Sequence, residues 1–489
     1  MHLQATRTAF RQTFAAAGSR ARRAVEAHPD RMAMAALVVV TGAAMAGFTW
    51  VALEHWRNFE TGAYDLGFFD QVIYNSSRGR IGATSFLPYN ALGEHMDAIW
   101  LVFVPLYWMG ASALVLTLSQ ALIASVAAVP LYFAGRGFGA TRRLALVFVS
   151  AYLLNPYLHR ALDYDFHTVS LMPLPVFGAL WAAATRRFWI ASALAVFLLP
   201  FKEDAVFVAL GLAAVLWSMG GRRHAAAVAA LAVAWAAFTV MVVMPELRHG
   251  VPSDIDERYG YLYGSHDVRG LLTGALTDPW TLIQNVFARR VLGTFALFAA
   301  VSAPLAWARP RLFACVLPLA AVSLLSDHQP QPALGLHYAV SMIPIVFAAS
   351  LAGSRKLERR WPFEALACVA LGAAAIGFLA LSPFSPLSDG PAAPSAEHRQ
   401  AVLEGLAIIP RDEEVSVSAQ SGLFSRLSHR RQIFEFPGRG EETDWVIVDA
   451  NGYRGGSSSG PGFELRLAEV RASYDRVYGR DGVEVFSRR

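Results

Sequence analysis

Cysteine, charge and nucleotide-binding motifs are all scarce in this chain, and each scarcity excludes something. The two cysteines, Cys315 and Cys368, both fall inside apolar runs. There a thiol acts as a small apolar side chain rather than as half of a bridge or a metal ligand. Charged residues are 16% of the total against 55% hydrophobic, a balance that leaves little room for a large soluble core. No P-loop and no dinucleotide-type glycine motif is present. Nor does the sequence show the paired halves expected of a transporter built from repeats. No small-residue cleavage site directly follows the first apolar run, so that run is expected to be an uncleaved anchor.

What the chain has instead is an alternation. The short gaps between long apolar runs carry, in turn, arginine clusters and sets of Asp, Glu and His. An excess of Lys and Arg marks cytoplasmic loops, so the basic segment 1–31, with Arg7, Arg11, Arg20, Arg22, Arg23 and Arg31, is placed inside. A first span over 32–53 then leads outside. Further spans are drawn at 112–134, 144–158, 169–184, 190–201, 204–219, 225–244, 291–307, 312–325, 338–353 and 362–382, about eleven in all. The run 98–109, with Trp100, Tyr107 and Trp108, is read as a helix lying at the outer surface. The fold class is therefore mainly α, a polytopic transmembrane helical bundle over 32–382. A linker at 383–396 precedes a small extracytoplasmic α/β domain over 397–489, with strands at 414–418, 431–436, 445–449 and 483–487. The net charge of +5 is accounted for by inner loops facing anionic lipid, and nucleic acid is not called for.

Chemistry is expected on the acidic side. The first outer loop, 54–111, is too long for a connector and holds Tyr64, Asp65 and Asp70, then Glu94, His95 and Asp97. Spacing alone leaves Asp65 open to a second reading as a helix N-cap, and Glu94, His95 and Asp97 to one as interfacial polar groups. The next outer gap holds Asp163, Asp165 and His167. Lys202, Glu203 and Asp204 follow at the end of an apolar run, where three adjacent ionisable groups are costly unless paired or facing a wet cavity. A snorkelling Lys202 is the plainer alternative. The loop 245–290 mixes too many charges to sort, and His328 and His337 lack a metal-ligand spacing. In the tail, Arg426, His429, Arg430 and Arg431 are expected to be a solvated basic surface, with contact to an anionic substrate or headgroup as the second reading.

Carboxylates and cations bordered by apolar helices suit a reaction between a lipid-borne donor and a polar acceptor. A lipid phosphate needs Lys, Arg or His as it leaves, and an attacking hydroxyl needs a carboxylate base. The segments Thr61–Gln71 (TGAYDLGFFDQ), Gly93–Asp97 (GEHMD), Leu162–Thr168 (LDYDFHT), Phe201–Ala205 (FKEDA), Gly335–Phe347 (GLHYAVSMIPIVF) and Val415–Arg431 (VSVSAQSGLFSRLSHRR) resemble an uncharacterised family of bacterial membrane proteins, domain of unknown function 2079. The resemblance runs from about residue 55 to the C-terminus. That family in turn resembles the GT-C superfamily of polyprenyl-phosphate-sugar-dependent glycosyltransferases, in which the first outer loop carries an acidic motif and a surface-lying helix.

The resemblance implies inverting sugar transfer in the cytoplasmic membrane, from a polyprenyl-phosphate-linked donor to an extracytoplasmic glycan, lipid or protein acceptor. Asp65 matches the acidic residue of the loop. Many such enzymes carry a second acid beside the first. Here Leu66 stands in that place, which leaves the second role to Asp70 or Glu94 and the use of a divalent cation open. Placement, rather than motif, makes Lys202 the expected donor-phosphate ligand, with His95 and His167 next. Tyr64, Asp163, Asp165, Glu203, Asp204 and His337 complete the expected substrate-binding set. Two rival classes remain: a transporter or lipid flippase using Lys202, Glu203 and Asp204 as a charge relay, and a non-catalytic envelope assembly protein.

Overall fold

The computed structural model describes residues 28–288, 291–390, 392–438, 442–452 and 461–489. Arg7, Arg11, Arg20, Arg22, Arg23 and Arg290 lie outside them. Every apolar stretch drawn from the sequence contains helix, because a chain poor in polar side chains satisfies its backbone hydrogen bonds internally. Four helical runs are long and apolar enough to cross a membrane: Pro29–Arg57, Ala113–Gly137, Arg222–Leu247 and Phe363–Leu381. The remaining apolar helices have 10–17 residues, so the structure supports a many-helix membrane protein without fixing a count of eleven spans.

Local chemistry explains several breaks. The expected span 144–158 is in fact two helices, Arg142–Leu153 and Pro156–Asp163. Asn155 caps the second by accepting from the backbone N–H groups of Tyr157 and Leu158 at 3.0 and 3.3 Å, and Pro156 supplies a helix start that needs no N–H. The run 98–109 forms a 3₁₀ turn, Ala98–Phe103, followed by a short helix, Val104–Trp108. It buries Trp100, Phe103 and Tyr107 and exposes Val102, Trp108 and Met109.

The basic gaps gather at one end of the bundle. Arg142 pairs with Asp30 at 2.8 Å, Arg309 donates to the Ala352 carbonyl at 3.1 Å, and Lys356 to the Ala308 carbonyl at 3.3 Å. The acidic gaps meet at the other.

The C-terminal domain is a five-stranded sheet, β1 (Val417–Gln420), β2 (Ile433–Phe436), β3 (Trp445–Asp449), β4 (Tyr474–Arg480) and β5 (Val483–Arg488), in the order β2-β1-β3-β5-β4. β1 runs parallel to both β2 and β3, while β5 pairs antiparallel with β3 and β4. The first strand starts three residues later than 414, and β4 was not foreseen.

This domain sits on the first loop. Phe59 and Ala63 enter its apolar core beside Ala401, Leu423, Phe424 and Leu427. Arg80 reaches Glu413 through two hydrogen bonds, at 3.2 and 3.1 Å. The tail arginines are not the solvated surface expected of them. Arg430 is 3% exposed and donates to the carbonyls of Leu427, Val415 and Pro410, and the Arg426 guanidinium lies 3.5 Å from the Trp56 ring centre. Only Arg431 stays outward, paired with Glu414 at 3.0 Å. Their guanidinium groups are consumed by backbone carbonyls and an aromatic face where the domain meets the loop.

Candidate functional site

Asp65 lies in a tight π-type turn, Ala63–Gly67, with φ 63° and ψ −82°. A non-glycine residue holds such a conformation only when its surroundings impose it. Three contacts do so. Gly62 N–H donates to Asp165 Oδ2 at 2.6 Å, Ala63 N–H donates to Ser421 Oγ at 3.0 Å, and the Thr61 and Ser425 hydroxyls lie 2.9 Å apart. The flanking glycines are needed for close approach. A Cβ on Gly62 would stand 2.6 Å from Asp165 Oδ2, and one on Gly67 2.5 Å from the Phe424 ring.

Around Asp65 the structure brings together residues from four gaps. The Tyr164 hydroxyl donates to the Asp65 carboxylate. His337 Nδ1 stands 3.9 Å from Asp65 Oδ2, and its ring stacks on that of His167 at 3.6 Å between centres. Burial pushes the Asp65 carboxyl up to about 6, while the Tyr164 hydrogen bond and the charges of Lys202 and His95 pull it down. Burial likewise raises Asp165, offset in part by the Gly62 N–H and reinforced by Asp65. For His167 and His337 burial, and then the neighbouring cations, lowers the pKa well below the usual range. These rings are therefore neutral hydrogen-bonding groups at physiological pH.

The cations are Lys202, His95 and Arg258. Burial lowers Lys202, but Asp204 and Glu203 outweigh it and keep the ammonium charged. His95 Nδ1 meets Glu203 Oε1 at 2.9 Å, and Glu203 Oε2 accepts from the Met96 N–H at 3.1 Å. Burial and Lys202 lower His95, yet Glu203 raises it on balance. Glu203 is in turn held below its usual range: burial raises it, and His95 and Lys202 more than offset that.

Arg258 is the site residue that sequence reasoning missed, and Asp97, named beside Glu94 and His95, was left out of the expected substrate-binding set. Arg258 pairs with Asp254, donates to Gln331 Oε1 at 2.9 Å and hydrogen-bonds Tyr338. The four-residue spacing of Asp254 and Arg258 on one helix was the available signal, lost among the other charges of its loop. Asp97, 2% exposed, is pushed up to about 7 by burial and by Glu203, against His95 and Lys202.

The other expected residues lie apart. Asp70 is fully buried, and its carboxylate accepts from Tyr107 and Ser428 and pairs with His429 at 3.2 Å. All its capacity is used where the loop meets the C-terminal domain, so it is not a second acid of the Asp65 cluster. Asp163 faces His55 at 3.6 Å. Glu94 accepts from the Tyr89 hydroxyl at 2.5 Å, and its charge acts on the exposed ring of Tyr64. Asp204 directly precedes the helix Ala205–Ser218 without capping it through its side chain. Among the described residues, no group of three or more His, Cys, Asp or Glu side chains is arranged to hold a metal ion.

Residues 55–485 match the family described as Predicted membrane protein (DUF2079). No curated protein matches the chain. Among solved structures, that of ArnT from Cupriavidus metallidurans bound to undecaprenyl phosphate aligns over 92% of this chain and 97% of its own, at 13% identity and a TM-score of 0.49. The Archaeoglobus fulgidus oligosaccharyltransferase tethered with an acceptor peptide aligns over 86% of this chain and 69% of its own, at 12% identity and a TM-score of 0.45.

Proposed function

The chain belongs to the predicted membrane protein family DUF2079, and from that premise we propose that it is a membrane glycosyltransferase. It moves a sugar from a polyprenyl-phosphate donor to an acceptor hydroxyl on the extracytoplasmic side, with inversion. The observation that carries this reading is the Asp65 turn. It holds a half-buried carboxylate with a pKa of about 6 beside a neutral imidazole and within the field of Lys202. A base titrating near the working pH is suited to general-base catalysis, and a fixed cation in a water-poor pocket is suited to a departing phosphate.

In this mechanism Asp65 accepts the proton of the acceptor hydroxyl as its oxygen bonds to the anomeric carbon. The bond from that carbon to the phosphate oxygen breaks on the opposite face, and polyprenyl phosphate leaves as an anion. Lys202 and Arg258 balance its charge, while His337 offers a neutral hydrogen bond. His95 and Glu203 hold each other and the turn bearing Lys202. Asp70 has no part in the step. No step of this mechanism is routed through a divalent ion.

An apolar groove of about 440 Å³ runs between helices Pro173–Ala184 and Phe188–Phe197, lined by Leu174, Gly178, Trp181, Leu194 and Phe197. Phe197 packs edge-on against Phe201, next to Lys202, at 5.6 Å. The groove supports this reading as a path for an isoprenoid chain leading toward the cation that would take its phosphate.

The test is transfer of radiolabel from a panel of polyprenyl-phosphate sugars in membranes holding wild-type protein or Asp65→Ala. Transfer by the wild type that is lost in the variant is the expected result. Wild-type rates in folded Asp65→Ala would end the assignment. Absence of transfer from every donor, with a broad acceptor extract present, would favour transport or assembly.

A further inference from the structure

The segment SGLFSRLS, Ser421 to Ser428, takes no part in the step above, yet it touches the first loop at several of the points that shape it. Ser421 Oγ takes the Ala63 N–H at 3.0 Å. Ser425 meets Thr61 at 2.9 Å. Phe424 fills the space that a side chain at position 67 would occupy. Ser428 donates to Asp70, which is fully buried at the base of the same loop. Ser421, Phe424, Ser425 and Ser428 are themselves at most 3% exposed.

We propose that this segment is a positioning element of the active site: the C-terminal domain moulds the Thr61–Gly67 turn and thereby sets where the Asp65 carboxylate points. A turn with φ 63° at Asp65 relaxes unless something external over-determines it. On one side the restraint is Asp165. On the other it is this segment, supplied by a different domain. The small residues follow from the task. Serine hydroxyls reach backbone and side-chain oxygen at hydrogen-bond distance without adding bulk, and glycine at 67 leaves room for the Phe424 ring. The inference rests on the catalytic reading of Asp65 for its consequence, but not for the contact itself.

The experiment uses the full-length protein in detergent and in vesicles, comparing wild type with the double variant Ser421→Ala/Ser425→Ala. Two readouts are taken. Amide hydrogen exchange over residues 61–68 is expected to quicken about tenfold, the scale of one lost hydrogen bond. Transfer is expected to fall on the order of 100-fold in kcat with little change in donor KM, as a misaimed catalytic group does. The acid limb of the kcat–pH profile is also expected to move to lower pH, because a loosened carboxyl regains water. Arg488→Ala, at the far edge of the same domain where it pairs with Glu442, should change none of these.

Unchanged exchange at 61–68 overturns the proposal. So does faster exchange with wild-type kcat and an unmoved acid limb in protein whose Asp65→Ala form is inactive. If the wild type transfers nothing, the enzymatic reading fails, and the exchange result alone still decides whether the C-terminal domain shapes the turn.

Discussion

His337 Nδ1 lies 3.9 Å from Asp65 Oδ2, is buried, and among the described residues has no hydrogen-bond partner. A buried polar atom without a partner is costly and is relieved by a ligand atom placed between the two side chains. The gap is too long for a direct hydrogen bond and suits an oxygen that bonds to both. His337→Phe keeps the ring stack on His167 but removes that donor. It is expected to lower kcat/KM by roughly 10- to 100-fold, the worth of a hydrogen bond to a charged group, with a thermal midpoint unchanged or raised.

Activity should rise with pH across the titration of Asp65. The carboxyl must be ionised to take a proton, and its pKa is about 6. Transfer is expected to be low at pH 5 and to level off above pH 7. A kcat–pH profile in vesicles buffered equally on both sides checks this; a flat profile between those values would be incompatible with Asp65 as the base.

The same carboxyl should weaken the fold above that pKa. Its native-state value exceeds the ordinary aspartate value of 3.8, so the native protein binds the proton more tightly than the unfolded chain does. Stability is then lost as pH rises from about 4 to about 6, and the full penalty persists above. Asp65→Asn is expected to gain about 3 kcal/mol at pH 8 and roughly half that at pH 5, taking 1.36 kcal/mol per pKa unit. Thermal unfolding at the two pH values reads this. The variant should at the same time be inactive, a trade common at functional sites.

Lys202→Met should act on donor binding. The ammonium follows Phe201, which packs against the groove residue Phe197, and its loss is expected to raise donor KM roughly 10- to 100-fold while sparing the thermal midpoint. Lys202→Arg should recover part of the affinity. An unchanged KM in Lys202→Met would move phosphate binding to Arg258.

Asp70→Asn should fail in a different way. Its carboxylate joins Tyr107, Ser428 and His429 in the interior, and an amide cannot accept from all of them. A loss of about 2–4 kcal/mol is expected, seen as a lower midpoint and a smaller folded yield. Specific activity per folded molecule should fall less than in Ser421→Ala/Ser425→Ala, because Asp70 holds the base of the loop and not the turn itself.

The fold class was legible because hydropathy is a local property: apolar runs and their basic or acidic gaps need no knowledge of what packs where. The gaps holding Asp65, His95, Asp165, Lys202 and His337 were placed on one side of the bundle by alternation alone, and the structure gathers them. What sequence could not supply was pairing at a distance. Asp70 looked like a partner for Asp65 because it is near in the chain, whereas its partners Ser428 and His429 lie 358 and 359 positions away. Arg430 looked solvated because nothing local says that three carbonyls surround it. β4 was hidden by Asp475, Arg476 and Arg480, charges suited to an edge strand facing water. Arg258 was hidden by the number of charges in its loop.

The bond from Ala63 to Ser421 spans 358 positions, and that separation sets an order of assembly. The acid, the cations and the histidines are all synthesised before the C-terminal sheet exists. When the helix Phe363–Leu381 has been made, the candidate groups are all present, but the loop bearing Asp65 still lacks its contacts with the C-terminal domain. The contacts of residues 421–428 with the turn at Asp65 form once the sheet has folded and docked, as distal contacts close late. A chain cut before Ser421 is thus expected to carry these side chains without the contact that helps to shape the Asp65 turn.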